Sequence, residues 1–181
     1  MREVITMRTP LIETKRLQLR TFVLEDAQEA LECWESDPEV ARYMMWQSHN
    51  DIEKTRGFMQ REISKIDNEE WYRWCITDKS TNEIMGTCLI YWNDEENCWD
   101  IAYNLGRKYW GKGYTTEAMK AVMEFAINTL HVKEVIATHA IENPASGKVI
   151  EKLGFVYERE VEYICNGGTI HTTGKQYRLT M

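Results

Sequence analysis

Residues 109–118 read Tyr-Trp-Gly-Lys-Gly-Tyr-Thr-Thr-Glu-Ala, and they join a segment patterned as a strand to one patterned as a helix. Before this stretch, residues 100–105 alternate as a half-buried strand does. After it, apolar residues recur at helical spacing, namely Met119, Val122, Met123, Ala126, Ile127 and Leu130. The order of strand, glycine loop and helix therefore places Gly111 and Gly113 at the start of the helix.

A helix start preceded by glycines is suited to binding an anion. The first N–H groups of a helix are unpaired, the helix dipole is positive there, and a glycine has no Cβ to keep a phosphate from the main chain. We therefore predict that the loop binds a pyrophosphate, although a Gly-x-Gly pair alone is also typical of an ordinary turn. The predicted binding residues of the loop are Lys108, Trp110, Gly111, Lys112, Gly113, Tyr114 and Thr115.

A second motif lies about thirty residues downstream, after a strand-like segment at 135–140. Residues 142–155 read Glu-Asn-Pro-Ala-Ser-Gly-Lys-Val-Ile-Glu-Lys-Leu-Gly-Phe. Together the two motifs resemble the GNAT superfamily of N-acetyltransferases, and within it the ribosomal-protein N-terminal acetyltransferases. Residues 13–20, Glu-Thr-Lys-Arg-Leu-Gln-Leu-Arg, resemble the opening strand of that branch, so the resemblance extends over nearly the whole chain.

The pattern of the whole chain predicts one α/β domain over residues 1–181, because it contains no repeat and no linker. Strands are predicted at 16–20, 71–77, 83–91, 100–105 and 135–140, and two more flank the Asn-Gly-Gly turn at 166–168. Helices are predicted at 25–34, 37–43 and 52–66, besides those that follow the two motifs. The resemblance implies a mixed, mostly antiparallel sheet of about seven strands with helices on both faces. It also implies that strands splay apart at 100–105, where the pantetheine arm of the cofactor lies.

Composition excludes several classes of function. A net charge of −7 over 181 residues argues against nonspecific binding to nucleic acid. The five cysteines are odd in number and lack Cys-x-x-Cys spacing, so neither a disulfide framework nor a zinc site is predicted. No segment approaches the roughly 20 apolar residues that a membrane span needs. We therefore expect a cytoplasmic protein without a metal, a membrane or a nucleic-acid partner.

The resemblance implies that acetyl-CoA is the acetyl donor and that residues of two segments bind it. Main-chain groups of Tyr103 and Leu105 would contact pantetheine, and an N–H that the splay leaves free would stabilise the oxyanion. Asn143, which precedes a proline and so suits a helix cap, would also touch pantetheine. Ser146 takes the place of a serine proposed to protonate the coenzyme A thiolate, but a serine there can also simply bond its own helix terminus. Where the family usually has Gln or Arg, this chain has Lys108.

Asp100 is the predicted general base, because it shares a strand face with Ala102 and Asn104 where the branch commonly has Glu. A carboxylate with a pKa of about 3.9 is a poor acceptor of a proton from a lysine-like ammonium at about 10.4. An α-amine, near 8, is already partly neutral at neutral pH. This difference favours α-amino acceptors unless burial raises the pKa of Asp100. An ordinary solvated carboxylate remains an alternative interpretation, and His139 and Glu142 are alternative bases.

The acceptor is less well defined by the sequence. The resemblance implies a pocket built from residues 35–50 and the late hairpin around Tyr163, although such residues are also typical of a core. No cysteine lies in either motif, so direct transfer through a ternary complex is expected. The amine of a protein N-terminus is the leading acceptor, and a small-molecule amine is the alternative. A non-catalytic acyl-CoA-binding module and another nucleotide-binding protein also remain open, and the resemblance allows a homodimer. The aromatic and methionine residues of the predicted pocket are Tyr43, Met44, Met45 and Trp46.

Overall fold

The computed structural model describes residues 8–181, so the first seven residues of the predicted 1–181 domain lie outside it. The strands are β1 (Ile12–Glu13), β2 (Leu17–Arg20), β3 (Trp71–Asp78), β4 (Ile84–Asn93), β5 (Cys98–Leu105), β6 (Glu134–Ala140), β7 (Val156–Cys165) and β8 (Ile170–Thr180). The helices are α1 (Ala27–Ala30), α2 (Pro38–Ala41), α3 (Ile52–Ser64), α4 (Tyr114–Asn128) and α5 (Pro144–Lys152). A π-helical turn (Leu31–Glu35) extends α1.

The strands form one eight-stranded sheet in the order β1-β2-β3-β4-β5-β6-β8-β7. Every neighbouring pair is antiparallel except β5 and β6, which run parallel. The predicted mixed, mostly antiparallel α/β sheet is thereby confirmed. The strand beyond the predicted seven is β1, whose two residues are too few for an alternation of apolar and polar side chains to be visible in the sequence.

Helices cover both faces of the sheet, as predicted. On one face, α4 packs Met119 and Val122 against sheet residues that include Trp74 and Ile90. On the other face, the segment from α1 to α3 buries residues such as Trp34 against Cys75 and Ile84. Trp74 and Cys75 are consecutive in β3, and successive side chains of a strand point to opposite faces. The two cores are therefore separated by the sheet.

The parallel pair of strands separates after two residues. Pairing between β5 and β6 is confined to Trp99 with Val135 and Asp100 with Ile136. Beyond that point β5 continues to pair with β4 as far as Leu105, and β6 continues to pair with β8 as far as Ala140. The two strands thus diverge and leave a wedge between them, with its closed end at Asp100. This is the predicted splay.

Within residues 8–181, no helix combines the length and the apolar character that crossing a membrane demands.

Candidate active site

Two main-chain amides of β5 face the open wedge. The N–H of Gly106 donates to the carbonyl of Met85 at 2.8 Å, which fixes the direction of alternate amides along the β4–β5 ladder. The amides of Tyr103 and Leu105 therefore point away from β4, beyond the last residue that pairs with β6. The amide of Ile101 points the same way but donates to the carboxylate of Asp100 at 2.7 Å. The N–H groups of Tyr103 and Leu105 thus have no partner within residues 8–181 and are available in the wedge.

The glycine loop lies at the start of α4, as predicted. Gly111 and Gly113 have φ values of 72° and 78°, in the left-handed region where a side chain causes strain. Gly113 immediately precedes Tyr114, the first residue of α4, and no side chain caps this helix start. The amides of the first turn therefore remain available to a ligand. The indole N–H of Trp110 donates to the carbonyl of Leu105 at 2.8 Å and joins the loop to the wedge.

The N-terminal segment holds the glycine loop in place. The carboxylate of Glu117 accepts hydrogen bonds from the hydroxyl of Thr14 at 2.6 Å and from the amide of Arg16 at 2.8 Å. It also pairs with the guanidinium of Arg16 at 2.7 Å. The same guanidinium donates to the carbonyl of Lys112 at 3.1 Å and lies over the ring of Tyr114, 4.2 Å from its centroid. The motif at residues 13–20 thus anchors the loop.

The wedge, the loop and α5 enclose a first cleft of about 450 Å³. Most of the residues predicted to bind acetyl-CoA line it, namely Tyr103, Leu105, Trp110, Gly111, Gly113, Tyr114, Thr115, Asn143 and Ser146. Three cationic residues that the sequence did not single out also line it, namely Arg42, Lys148 and Lys152. Lys148 and Lys152 are four residues apart on α5, a spacing that places them on one helix face and could have indicated their role. The cleft therefore offers positive charge and free amides, which suit a phosphorylated ligand.

Lys108 and Lys112 do not line this cleft. The ammonium of Lys112 donates to the carbonyl of Lys108 at 2.8 Å. The ammonium of Lys108 lies 3.7 Å from the carboxylate of Glu83. Both side chains therefore point away from the ligand side of the loop.

Asn143, Ser146 and Tyr103 form a polar group on one wall of the cleft. Asn143 accepts the amide of Ser146 at 3.3 Å and caps α5. The hydroxyl of Ser146 lies 2.9 Å from the phenol of Tyr103, and that phenol also donates to the carbonyl of Ser146 at 3.2 Å. Burial raises the pKa of Tyr103 to about 12, so the phenol keeps its proton at neutral pH. The structure thus joins β5 to α5 through the two residues that the resemblance assigned to the cofactor.

Asp100 lies at the closed end of the wedge and is only 9% exposed. Its carboxylate accepts hydrogen bonds from the phenol of Tyr91 at 3.1 Å, the amide of Asn93 at 3.0 Å and the main chain of Ile101. Burial outweighs these bonds and raises the pKa of Asp100 to about 6. Asp100 is therefore not an ordinary solvated carboxylate. It lines neither of the two clefts described here.

The alternative bases lie elsewhere. His139 is buried beside α5, where its Nδ1 is 2.8 Å from the carbonyl of Ala140, and its Nε2 has no partner among the described residues. Glu142 is exposed and accepts the hydroxyl of Thr172 at 2.6 Å, and this bond lowers its pKa. Neither residue lines either cleft. Within residues 8–181, no group of three or more His, Cys, Asp or Glu side chains is placed to hold a metal ion.

A second cleft of about 540 Å³ lies on the face of the sheet that α1 to α3 cover. It meets the first cleft at three residues that line both, Met44, Tyr103 and Asn104. Met45 and Trp46 of the predicted acceptor pocket line the second cleft, whereas Tyr43 lines the first. The phenol of Tyr163 donates to the carbonyl of Tyr43 at 2.9 Å, so the late hairpin contacts this segment as expected.

Known acetyltransferases resemble this chain both in sequence and in structure. The GNAT acetyltransferase domain family matches residues 16–156. The N-acetyltransferase p20 of Bacillus licheniformis is 36% identical over 147 residues, covering 80% of this chain and 82% of that protein.

Two solved structures share the fold. The ribosomal-protein-S5-alanine acetyltransferase of Vibrio fischeri has a TM-score of 0.79 at 19% identity and covers 94% of this chain and 96% of its own. The microcin C7 self-immunity acetyltransferase MccE, solved with acetyl-CoA and AMP, has a TM-score of 0.83 at 19% identity and covers 99% and 100%. The free amides of the wedge, the uncapped start of α4 and the cations of the first cleft fit acetyl-CoA. The chain therefore belongs to the GNAT family and is an acetyl-CoA-dependent N-acetyltransferase.

Proposed function

We propose that this chain acetylates a primary α-amine by direct transfer within a ternary complex. The observation that carries the proposal is the junction of the two clefts at Met44, Tyr103 and Asn104. A donor held in the first cleft and an amine held in the second would meet there. Direct transfer is also supported by the cysteines, because burial raises the pKa of Cys33 to about 11 and raises those of Cys75, Cys88, Cys98 and Cys165. A thiol of raised pKa is a weak nucleophile at neutral pH.

The first cleft would hold the donor by its phosphates and its arm. Amides of residues 110–115, with Arg42, Lys148 and Lys152 around them, would bind the phosphates. The amides of Tyr103 and Leu105 would bind the pantetheine arm and stabilise the oxyanion that forms during attack, where loss of one such donor costs about 3 kcal/mol. Acetyl-CoA supplies the activated acetyl group.

Asp100 would receive the proton of the attacking amine through water, because it lines neither cleft and lies four residues along β5 from Asn104 at the junction. With a pKa of about 6, it lies about two units below an α-amine at about 8 and more than four below a lysine amine at about 10.4. Each unit corresponds to about 1.4 kcal/mol, so proton transfer from an α-amine is easier by roughly 3 kcal/mol. This difference supports an α-amine as the acceptor over a side-chain amine.

Ser146 would pass its proton to the departing thiolate and take one back from water, so that the proton released by the amine balances the one that the thiolate gains. Its hydroxyl lines the first cleft and lies 2.9 Å from the phenol of Tyr103. We assign Tyr103 the role of orienting this hydroxyl. Asn143 would place it by capping α5 at Ser146 and would add a contact to pantetheine.

The amine of a peptide or protein N-terminus is the leading acceptor, in line with the name of the similar Vibrio fischeri protein. A small-molecule amine is a second candidate, because the second cleft is lined by aromatic and cationic side chains suited to a compact ligand. A cytoplasmic location is part of the proposal, and it is supported by cysteines that form no disulfide within residues 8–181. Homodimerisation stays a prediction.

Thiol release from acetyl-CoA tests the proposal with two matched peptides. The first has a free N-terminus and no lysine, and the second has a blocked N-terminus and one lysine. Release with the first peptide at ten or more times the rate of the second is expected. Equal release with both would contradict α-amine selectivity. If no thiol is released with either peptide or with small amines although acetyl-CoA binds, the chain is a non-catalytic acyl-CoA-binding module.

A further inference from the structure

The second cleft has a basic lining although the chain has a net charge of −7. Five residues of α3 line it, namely Glu53, Lys54, Gly57, Phe58 and Arg61. Their spacing places them on one side of the helix. Gly57 contributes no side chain and so leaves room between the two cations. Most of the cationic side chains of this cleft therefore come from α3.

The acidic groups of the second cleft are already paired. The carboxylate of Glu35 accepts the hydroxyl of Thr55 at 2.7 Å and lies 3.2 Å from Nε2 of His49. Glu53 forms an ion pair with Arg56. Lys54 and Arg61, in contrast, form no salt bridge within residues 8–181. The uncompensated charge of the cleft is therefore positive.

The floor of the second cleft presents hydrogen-bond donors without acceptors. Nε of Arg73 lies 3.2 Å from the carboxylate of Glu62 but is misaligned with it, and that carboxylate oxygen already accepts the indole of Trp71 at 2.7 Å. Nη1 of Arg73 makes only a long contact, 3.4 Å, to the hydroxyl of Thr87. The buried side-chain amide nitrogen of Asn104 has no partner among the described residues. Buried donors of this kind normally have an acceptor.

We propose that the second cleft selects amines that carry a carboxylate close to the amino group, and that Arg73 is the counter-ion of that carboxylate. The inference rests on the proposed acetyl transfer to an α-amine. A guanidinium binds a carboxylate through two parallel hydrogen bonds, which a neutral amide cannot match. Lys54 and Arg61 add attraction at the edge of the cleft. The same chemistry is present in a free amino acid and in an N-terminus followed by an acidic residue.

The distances across the sheet suit a small acceptor. Arg73, Leu89 and Ala102 occupy one cross-strand row. Arg73 and Ala102 are therefore two strand spacings, or about 10 Å, apart. Nη1 of Arg73 lies 3.4 Å from the hydroxyl of Thr87, and Thr87 is directly opposite Asn104 on β5. The remaining distance is short enough for a carboxylate on the carbon next to the amine. The amine itself would then lie at the junction of the clefts beside Asn104.

Matched acceptors test the inference without any mutation. Leucine carries a carboxylate that leucinamide replaces with a neutral amide. The dipeptide amides Ala-Glu and Ala-Gln differ in the same way, but in the side chain of the second residue. The carboxamide of each free amino acid has the less basic amine, so reactivity alone favours leucinamide. We expect kcat/KM to be at least about tenfold higher for the carboxylate member of one pair, which corresponds to about 1.4 kcal/mol. A preference within the leucine pair would indicate a free amino acid as the acceptor, and a preference within the dipeptide pair would indicate an N-terminus followed by an acidic residue.

Variants locate the preference. Replacing Arg73 alone would leave Glu62 buried without its partner, so the test uses the double variant Arg73→Gln with Glu62→Gln. It should reduce the carboxylate preference, the ratio of kcat/KM for the two members of the pair, to less than about threefold. Arg61→Gln should lower the preference partially. Lys120→Gln, an exposed change on α4 at the other face of the sheet and outside the lining, should leave it unchanged.

A binding measurement separates this inference from the proposed activity. N-acetylleucine should raise the Tm of the wild-type protein more than N-acetylleucinamide does, and the double variant should lose the difference. Thiol release that favours the carboxamides would overturn the inference while leaving acetyl transfer intact. If no amine is acetylated, equal Tm shifts for the two acetylated compounds would still overturn it.

Discussion

At the scale of single residues, Asp100 is buried without forming a salt bridge within residues 8–181, whereas the equally buried Asp26 is paired with Arg20. Three donors hold Asp100, yet desolvation raises its pKa to about 6. The sequence could indicate the residue and its strand face. It could not indicate the pKa, which burial in the folded chain raises and which the hydrogen bonds from Asn93 and Tyr91 lower in part.

Asp100→Asn should lower kcat/KM by about 10²-fold, the lower range for loss of a general base. In the wild type, kcat/KM should also fall as the pH drops below about 6, because Asp100 then binds a proton. That acidic limb should be absent in the variant. The measurement is thiol release with a saturating α-amine at a series of pH values. If kcat/KM of the variant depended on pH as in the wild type, Asp100 would not be the base.

The same pKa has a consequence for stability. Because folding raises the pKa of Asp100, this group stabilises the fold at low pH, and its contribution is lost as the pH rises through about 6. A shift of about two units corresponds to about 3 kcal/mol. Urea unfolding of Asp100→Asn and wild type should therefore show the variant gaining in relative stability between about pH 4 and pH 8. A difference that stays constant over this range would contradict the raised pKa.

Ser146→Ala should lower kcat by about tenfold near pH 7 and by less near pH 9. A thiol with a pKa of about 8.5 leaves readily as the thiolate at high pH, so its protonation matters less there. Tyr103→Phe should cause a smaller loss with the same pH dependence, because it removes only the partner of the hydroxyl at 2.9 Å. Ser80→Ala, in the turn after β3, is the matched control. If Ser146→Ala turned over at the wild-type rate at every pH, Ser146 would not be the acid that protonates the thiolate.

At the scale of elements, the glycine loop and the opening strand act as one unit. The sequence predicted each of them, and the resemblance connected them, but only the folded chain brings Thr14 and Arg16 to Glu117 and Lys112. Contacts between residues about a hundred positions apart leave no periodic pattern in a sequence. The same limitation explains why Lys108 and Lys112 were expected at the phosphates while Arg42, Lys148 and Lys152 line the cleft.

Glu117→Gln should raise the KM for acetyl-CoA by about tenfold with a smaller effect on kcat. The change weakens a charge-assisted interaction with Arg16, which is worth about 1.5–3 kcal/mol, and so loosens the loop. Glu124→Gln, on the exposed side of the same helix, should leave both constants unchanged. Equal losses in kcat and kcat/KM, measured from initial velocities, would instead indicate a role in the chemical step.

At the scale of the whole molecule, charge is distributed unevenly. The chain has a net charge of −7, yet Arg42, Lys148 and Lys152 surround the first cleft. Composition predicted the overall sign correctly and could not predict this local reversal. The fold class, the splay and the position of the loop were predicted because they follow from local patterns and from the resemblance. The second cleft was predicted only as a region, since its lining joins residues 34–61 to the strands β3, β4 and β5.

The KM for acetyl-CoA should rise several-fold as ionic strength increases from roughly 0.01 M to 0.15 M. Over this range the screening length falls from about 30 Å to about 8 Å, which weakens the attraction between the cleft cations and the phosphates. Lys148→Gln combined with Lys152→Gln should raise KM at low salt and flatten its salt dependence. If the salt dependence of KM were unchanged in this variant, the phosphates would not bind beside Lys148 and Lys152.

The central claim is direct transfer between two clefts that meet at Tyr103 and Asn104. Initial velocities of thiol release, measured while acetyl-CoA and an α-amine are varied together, test it most directly. Direct transfer predicts double-reciprocal lines that intersect, one acetylated amine for each thiol released, and no acetylated protein by mass spectrometry. Parallel lines with an acetylated protein intermediate would contradict it.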